Sequence, residues 1–99
     1  MSLNIYIDDI LTKLSKEPEE NDKESYFITF RYGDKIFSRR FLSNTTIGEL
    51  KCFSQVNIRT FKEIELSESF PRKIYFNDKA SIKEEGFSKR HILNCKILN

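Results

Sequence analysis

The residues with the clearest chemical potential are Phe70, Pro71 and Arg72, in the run Glu68-Ser69-Phe70-Pro71-Arg72. This run lies between two strand-like stretches, residues 61–66 and 72–76. A residue before proline is biased away from helix, and proline itself has no N–H for a central ladder. Phe70 and Pro71 therefore belong to a connection, with the phenyl ring carried at its tip. An X-Pro bond is also the one kind of peptide bond whose cis form costs only roughly 0.5–1 kcal/mol. An exposed phenyl ring beside a guanidinium can act as anchor and clamp: the ring fills an apolar pocket, and the guanidinium makes paired bonds to oxygen acceptors. The competing reading folds Phe70 back onto the core, where most Phe residues sit.

Other reactive side chains suggest no chemistry. His91 is the single histidine and has no serine or cysteine nucleophile at a recognisable spacing; it reads as a surface or strand-edge residue. Cys52 and Cys95 sit in apolar patterns and read as buried thiols. The sequence shows no metal-ligand spacing, no phosphate-binding loop and no paired carboxylates in a cleft. No enzyme, no cofactor and no metal are expected.

Two basic pairs, Arg39-Arg40 and Lys89-Arg90, are the remaining features. Residues 1–24 carry seven acidic and three basic side chains, a balance of −4, and residues 25–99 carry eight and fourteen, a balance of +6. The arm is acidic and the rest basic, so Arg39 and Arg40 are candidates for a secondary face toward an acidic partner. The overall charge of +2 is too small to argue for nucleic acid, and no aromatic ladder accompanies the basic pairs. No apolar run approaches the length of a membrane span and no signal peptide is evident. The expectation is a soluble, intracellular, monomeric module with no membrane or nucleic-acid partner.

The 99 residues suit one domain with a short arm. Leu3, Ile7, Ile10, Leu11 and Leu14 recur at helical spacing, so residues 3–16 form a candidate amphipathic helix that Pro18 ends. Residues 17–25 read as a polar linker. The division is therefore an arm over residues 1–24 and a domain over residues 25–99. Residues 26–32 and 36–42 are strand-like around Gly33-Asp34, a two-residue hairpin signal. Thr46-Ile47-Gly48-Glu49 fits a capping box opening a short helix to about Val56, with Ile47, Leu50 and Phe53 inward. Gly48 weakens its first turn by about 1 kcal/mol. Residues 61–66 and 72–76 follow as strands, with Ile64 and Leu66 inward. Ser81-Ile82-Lys83-Glu84 predicts a second capping box with one or two turns before Gly86. Residues 92–98 close as a strand with Leu93, Cys95 and Ile97 inward. The order β, β, α, β, β, short helix, β predicts an α+β fold, a ubiquitin-like β-grasp roll.

Three stretches then carry a family resemblance. Phe37-Ser38-Arg39-Arg40-Phe41-Leu42 precedes the helix. Ser69-Phe70-Pro71-Arg72 joins the third and fourth strands. Glu84-Glu85-Gly86-Phe87 leads through a basic patch to the last strand. Over residues 25–98 the chain resembles a UBX (ubiquitin-regulatory X) domain, a member of the ubiquitin-like superfamily. The resemblance implies an adaptor that docks on the N-terminal domain of the hexameric AAA ATPase valosin-containing protein, in ubiquitin-dependent protein handling, in the cytoplasm or nucleus. It implies that Phe70, Pro71 and Arg72 enter a cleft of the ATPase and that Arg31, on the first strand, adds polar contacts. The family hairpin usually has a longer turn than Gly33-Asp34, and a slip of one residue would send Arg31 to the other face.

Two other classes are possible on the same fold. A ubiquitin-like modifier needs a tail ending in Gly-Gly, whereas this sequence ends Lys96-Ile97-Leu98-Asn99, so conjugation is not expected. A ubiquitin-like domain of Ras-binding type would pair a basic edge strand, through Arg39 and Arg40, with an acidic protein surface.

Overall fold

The computed structural model describes residues 17–98. The expected helix over residues 3–16 lies outside the described residues. Five strands, β1 (Ser25–Tyr32), β2 (Lys35–Leu42), β3 (Ile64–Ser69), β4 (Arg72–Ile74) and β5 (Arg90–Ile97), form one sheet, and α1 (Ile47–Ile58) lies between β2 and β3 in sequence. The sheet order is β2-β1-β5-β3-β4. The central β1–β5 pair is parallel; the other pairs are antiparallel. This is the expected α+β, ubiquitin-like β-grasp architecture.

Local signals explain the first half. Gly33 takes φ +59°, which lets Tyr32 pair directly with Lys35 across a two-residue turn. Tyr26, Ile28 and Phe30 alternate into the core. At the helix start, Thr46 Oγ1 accepts from the Glu49 N–H at 3.2 Å, and the Glu49 carboxylate accepts from the Thr46 N–H at 3.3 Å. Ile47, Leu50 and Phe53 are buried as expected, joined by Ser54, whose hydroxyl donates to the Leu50 carbonyl. The helix runs two residues past the expected end, and Arg59 closes it at φ +63°, with its N–H on Gln55 O. Phe53 meets Phe30, Phe37 and Phe41 at centroid distances of 5.4, 5.9 and 5.3 Å, which ties the helix to both strands of the hairpin.

Gly48 has a packing reason that outweighs its helix propensity. Its N–H donates to Asp78 O at 2.9 Å, and a Cβ on it would stand 3.1 Å from that oxygen. The 77–81 loop thus satisfies the open N–H groups of the first helical turn, with Ile47 N–H donating to Ala80 O.

Three elements depart from expectation. The third strand begins at Ile64, not Phe61. Gln55 Nε2 takes the Lys62 carbonyl at 2.9 Å and Thr60 Oγ1 takes the Lys62 N–H at 3.1 Å, so residues 60–62 turn off the helix before any ladder forms. The fourth strand ends at Ile74; the Tyr75 N–H still reaches Leu66 O, but Phe76 leaves the sheet and is exposed. The stretch at Ser81 makes both capping-box bonds, yet only one irregular turn follows. Gly86, at φ +76°, and Phe87 close it onto Lys83 and Ile82, while Ile82 and Lys83 are held by carbonyls of residues 45 and 43. The Ser81 N–H and then its hydroxyl hold the Glu84 carboxyl below the usual carboxylate range.

Cys95 is buried as expected, whereas Cys52 is only half-buried because it lies off the buried helix stripe of Ile47, Leu50, Phe53 and Ser54. Burial pushes the Cys95 thiol up to about 11, against a smaller opposing effect of its bond to Ser54. An unfolded thiol ionises near about 8.5. Between these values the unfolded chain holds fewer protons than the folded one, so stability falls as pH rises. The melting temperature of wild type should therefore drop more between about pH 8.5 and 10.5 than that of Cys95→Ala; equal slopes would contradict the burial. Thr46→Ala should cost about 1 kcal/mol in denaturant melts by removing the helix cap.

Candidate functional site

The β3–β4 connection is a two-residue turn. Ser69 pairs with Arg72, which leaves Phe70 and Pro71 at its tip. The Phe70–Pro71 peptide bond is cis. Phe70 is 97% exposed, so the ring does not fold back onto the core. Behind the turn, the Asn94 side chain donates to Ser69 Oγ at 2.9 Å and ties it to β5.

The inner side of the turn rests on a polar cluster that the sequence did not announce. The Tyr75 hydroxyl donates to Glu68 Oε2. Burial first, and then this bond, raise the Tyr75 pKa well above the usual phenol value. His91 lies on β5, in the sheet interior, and its side chain is only 10% exposed, which corrects the surface expectation. Its ring stacks on Phe87 at 4.1 Å, and Phe87 in turn packs on Tyr75 at 5.1 Å. His91 Nδ1 accepts from the Ser88 N–H at 3.1 Å, so the proton of a neutral ring sits on Nε2. Nε2 lies 3.1 Å from Glu68 Oε1 without the alignment of a hydrogen bond. Glu68 is thus held from two elements, two residues before Phe70. Only the tertiary pairing of β3 with β5 brings these groups together; alternation along 91, 93 and 95 was the available hint.

Phe70 borders a groove of about 480 Å³ that is lined on the outer side by Arg31, Arg90, Ile92 and Asn94 and reaches round to Glu68 and His91. Arg31 pairs with Ile36 on β2 and Asn94 on β5. The tight hairpin therefore puts it on the exposed face, opposite Ile28 and Phe30. Phe70 and Arg31, far apart in sequence, thus meet at one groove. Arg72 is exposed next to the turn, on β4, and does not line that groove. An apolar ring flanked by cationic, amide and carboxylate groups can fill a partner's pocket while the rim makes polar bonds.

Arg39 and Arg40 do not form one face. Arg39 lies over the Phe41 and Phe53 rings at 4.9 and 5.9 Å, on the helix side of β2. Arg40 lies over Phe27 at 5.0 Å, on the opposite side. Successive strand residues point to opposite faces, so a sequence doublet on a strand cannot share one surface. Arg40 joins Lys89 and Arg90 instead.

No protein-family model matches this chain, and no curated protein sequence matches it. Solved structures do. The UBX domain of the D0H8S2298E protein superposes with a TM-score of 0.72 and 22% identity, over 88% of this chain and 82% of that one. The ubiquitin-like domain of the Arabidopsis thaliana protein At2g32350 gives a TM-score of 0.64 and 14% identity, over 86% and 89%. The N-terminal ubiquitin-like domain in the 4931431F19Rik protein gives 0.63 and 9%, over 86% of each chain. At these identities the likeness speaks for the backbone. The chain has the ubiquitin-like β-grasp fold, in the form that a UBX domain also takes.

Proposed function

We propose that this chain is a protein-interaction module that docks through Phe70, Pro71 and Arg72. The observation that carries this reading is the 97% exposure of Phe70 on a turn held from behind by Asn94 and Glu68. A large apolar side chain held out in water stabilises nothing in the free chain. It gains by entering a partner's pocket, where truncating such an anchor typically costs about 2–4 kcal/mol. The turn is short and paired on both sides, so little conformational freedom is lost on binding.

The partner in this reading is the N-terminal domain of the AAA ATPase valosin-containing protein. Its supports are the Phe-Pro-Arg triplet at the β3–β4 turn, the shared fold with a UBX domain, and the presence of Arg31 on the same groove. Arg31 and Arg72 supply guanidinium forks that a lysine cannot copy. The module would act as an adaptor in ubiquitin-dependent protein handling, in the cytoplasm or nucleus. The reading of Ras-binding type asks Arg39 and Arg40 to act together on the β2 edge, and their opposite orientations count against it.

Calorimetric titration of the full chain into the ATPase's isolated N-terminal domain should give roughly micromolar affinity, near −8 kcal/mol. Phe70→Ala should abolish the heat of binding and leave the melting temperature unchanged, because Phe70 is already 97% exposed. Arg72→Lys should weaken binding. No binding by the intact chain, or unaltered binding by Phe70→Ala, would remove this function.

A further inference from the structure

The outer sheet face carries a second concave surface, beside the Phe70 groove. It has a volume of about 340 Å³ and is lined by Phe27, Arg40, Lys89 and Arg90, together with residues of the acidic linker. The register explains the concentration of cations. Phe27 on β1 pairs with Arg40 on one side and Arg90 on the other. Both guanidinium groups lie over its ring, at 5.0 and 5.9 Å. Lys89 Nζ lies 4.2 Å from the Tyr26 ring centroid. Two guanidinium groups drawn over one ring, with Lys89 lining the same concavity, call for a counter-charge.

The chain's own linker supplies one. Glu17 Oε2 accepts from the backbone N–H of Arg40 at 3.1 Å, on the strand at the edge of the sheet. Glu20 Oε1 stands 3.8 Å from the Arg40 guanidinium. Asp22 turns the linker into β1: its carbonyl accepts from Ser25 N–H at 3.0 Å and its carboxylate from Glu24 N–H at 2.9 Å. The Lys23 carbonyl accepts from Lys89 Nζ at 2.6 Å. The carboxylates of Glu17 and Glu20, three residues apart, thus meet an edge N–H and a guanidinium of the same residue. The hold is loose. The Glu20 pair is long, and its side chain is 83% exposed. An exposed pair of this kind adds little stability and yields to a competitor.

We propose that this surface is a binding site for an acidic, extended segment of another protein, and that residues 17–22 occupy it as an intramolecular stand-in. A peptide with carboxylates at positions i and i+3 reproduces the contacts already made. Nucleic acid fits less well, because the Phe27 face is covered by two guanidinium groups and Tyr26 is buried, so neither offers bases a stacking platform. The proposal stands apart from docking through Phe70, since Arg40 and Lys89 do not line the Phe70 groove.

The test uses the full chain and a fluorescein-labelled hexaglutamate peptide, read by anisotropy at about 0.05 M salt, where screening is modest. Neutralising the linker with Glu17→Gln, Glu20→Gln and Asp22→Asn should raise affinity by about fivefold. Adding Arg40→Gln and Lys89→Gln to that background should abolish binding. The linker substitutions lie at exposed positions outside the sheet and leave a foldable chain, so this arm decides even if the basic-site variant unfolds. Unchanged affinity in the neutralised variant overturns the proposal. So does retained binding without Arg40 and Lys89 in a folded variant, or a labelled thymidine hexanucleotide that binds as tightly as the peptide.

Discussion

The parallel pairing of β1 with β5 is the constraint on which the rest of the structure depends. The last strand enters the sheet between β1 and β3 and joins the β1–β2 pair to the β3–β4 pair. Phe27 to Arg31 lie opposite Arg90 to Asn94. That register puts Arg31 beside Asn94, puts Arg90 beside Phe27, and carries His91 beneath Glu68. Parallel strands cannot be joined by a tight turn; the connection here contains the helix and the whole β3–β4 hairpin. The pairing is therefore specified by burial, through Ile28, Phe30, Leu93 and Cys95 on one face, rather than by any local signal.

The two faces of the sheet divide the labour. The inner face is filled by α1 and by rings that meet at tilted and edge-to-face angles, an arrangement suited to the aromatic quadrupole. Among the described residues no element covers the outer face around Ile92, Arg31 and Arg90, which are exposed. Phe70 stands at its margin. A sheet with one solvated face is ordinary for antiparallel pairs. Less ordinary is a phenyl ring held out beyond it by a paired turn.

The polar cluster under the turn links these faces. Glu68 has one oxygen on the Tyr75 hydroxyl and the other near His91. Both contacts lie on the inner side, while the next residue, Ser69, is bound from the outer side by Asn94. The turn is gripped from above and below, which is why Phe70 can be exposed without the connection being loose. The satisfied Tyr75–Glu68 bond favours one arrangement over its neighbours.

Features whose energy is local were legible in the sequence. The Gly33-Asp34 turn, the Thr46 capping box, the inward alternation of Ile64 with Leu66 and of Leu93 with Cys95, and the position of Phe70 at a turn each depend on residues within a few positions of one another. The element order followed from these, and with it the fold. What only the tertiary structure decided involves residues distant in sequence. Competition from Gln55 and Thr60 delays β3; the departure of Phe76 shortens β4; β5 draws His91 into the interior. Arg39 and Arg40 look like a pair in one dimension and separate in three, because a strand alternates. Arg40 and Arg90, far apart in sequence, come together, because β1 lies between their strands and sets both over the Phe27 ring.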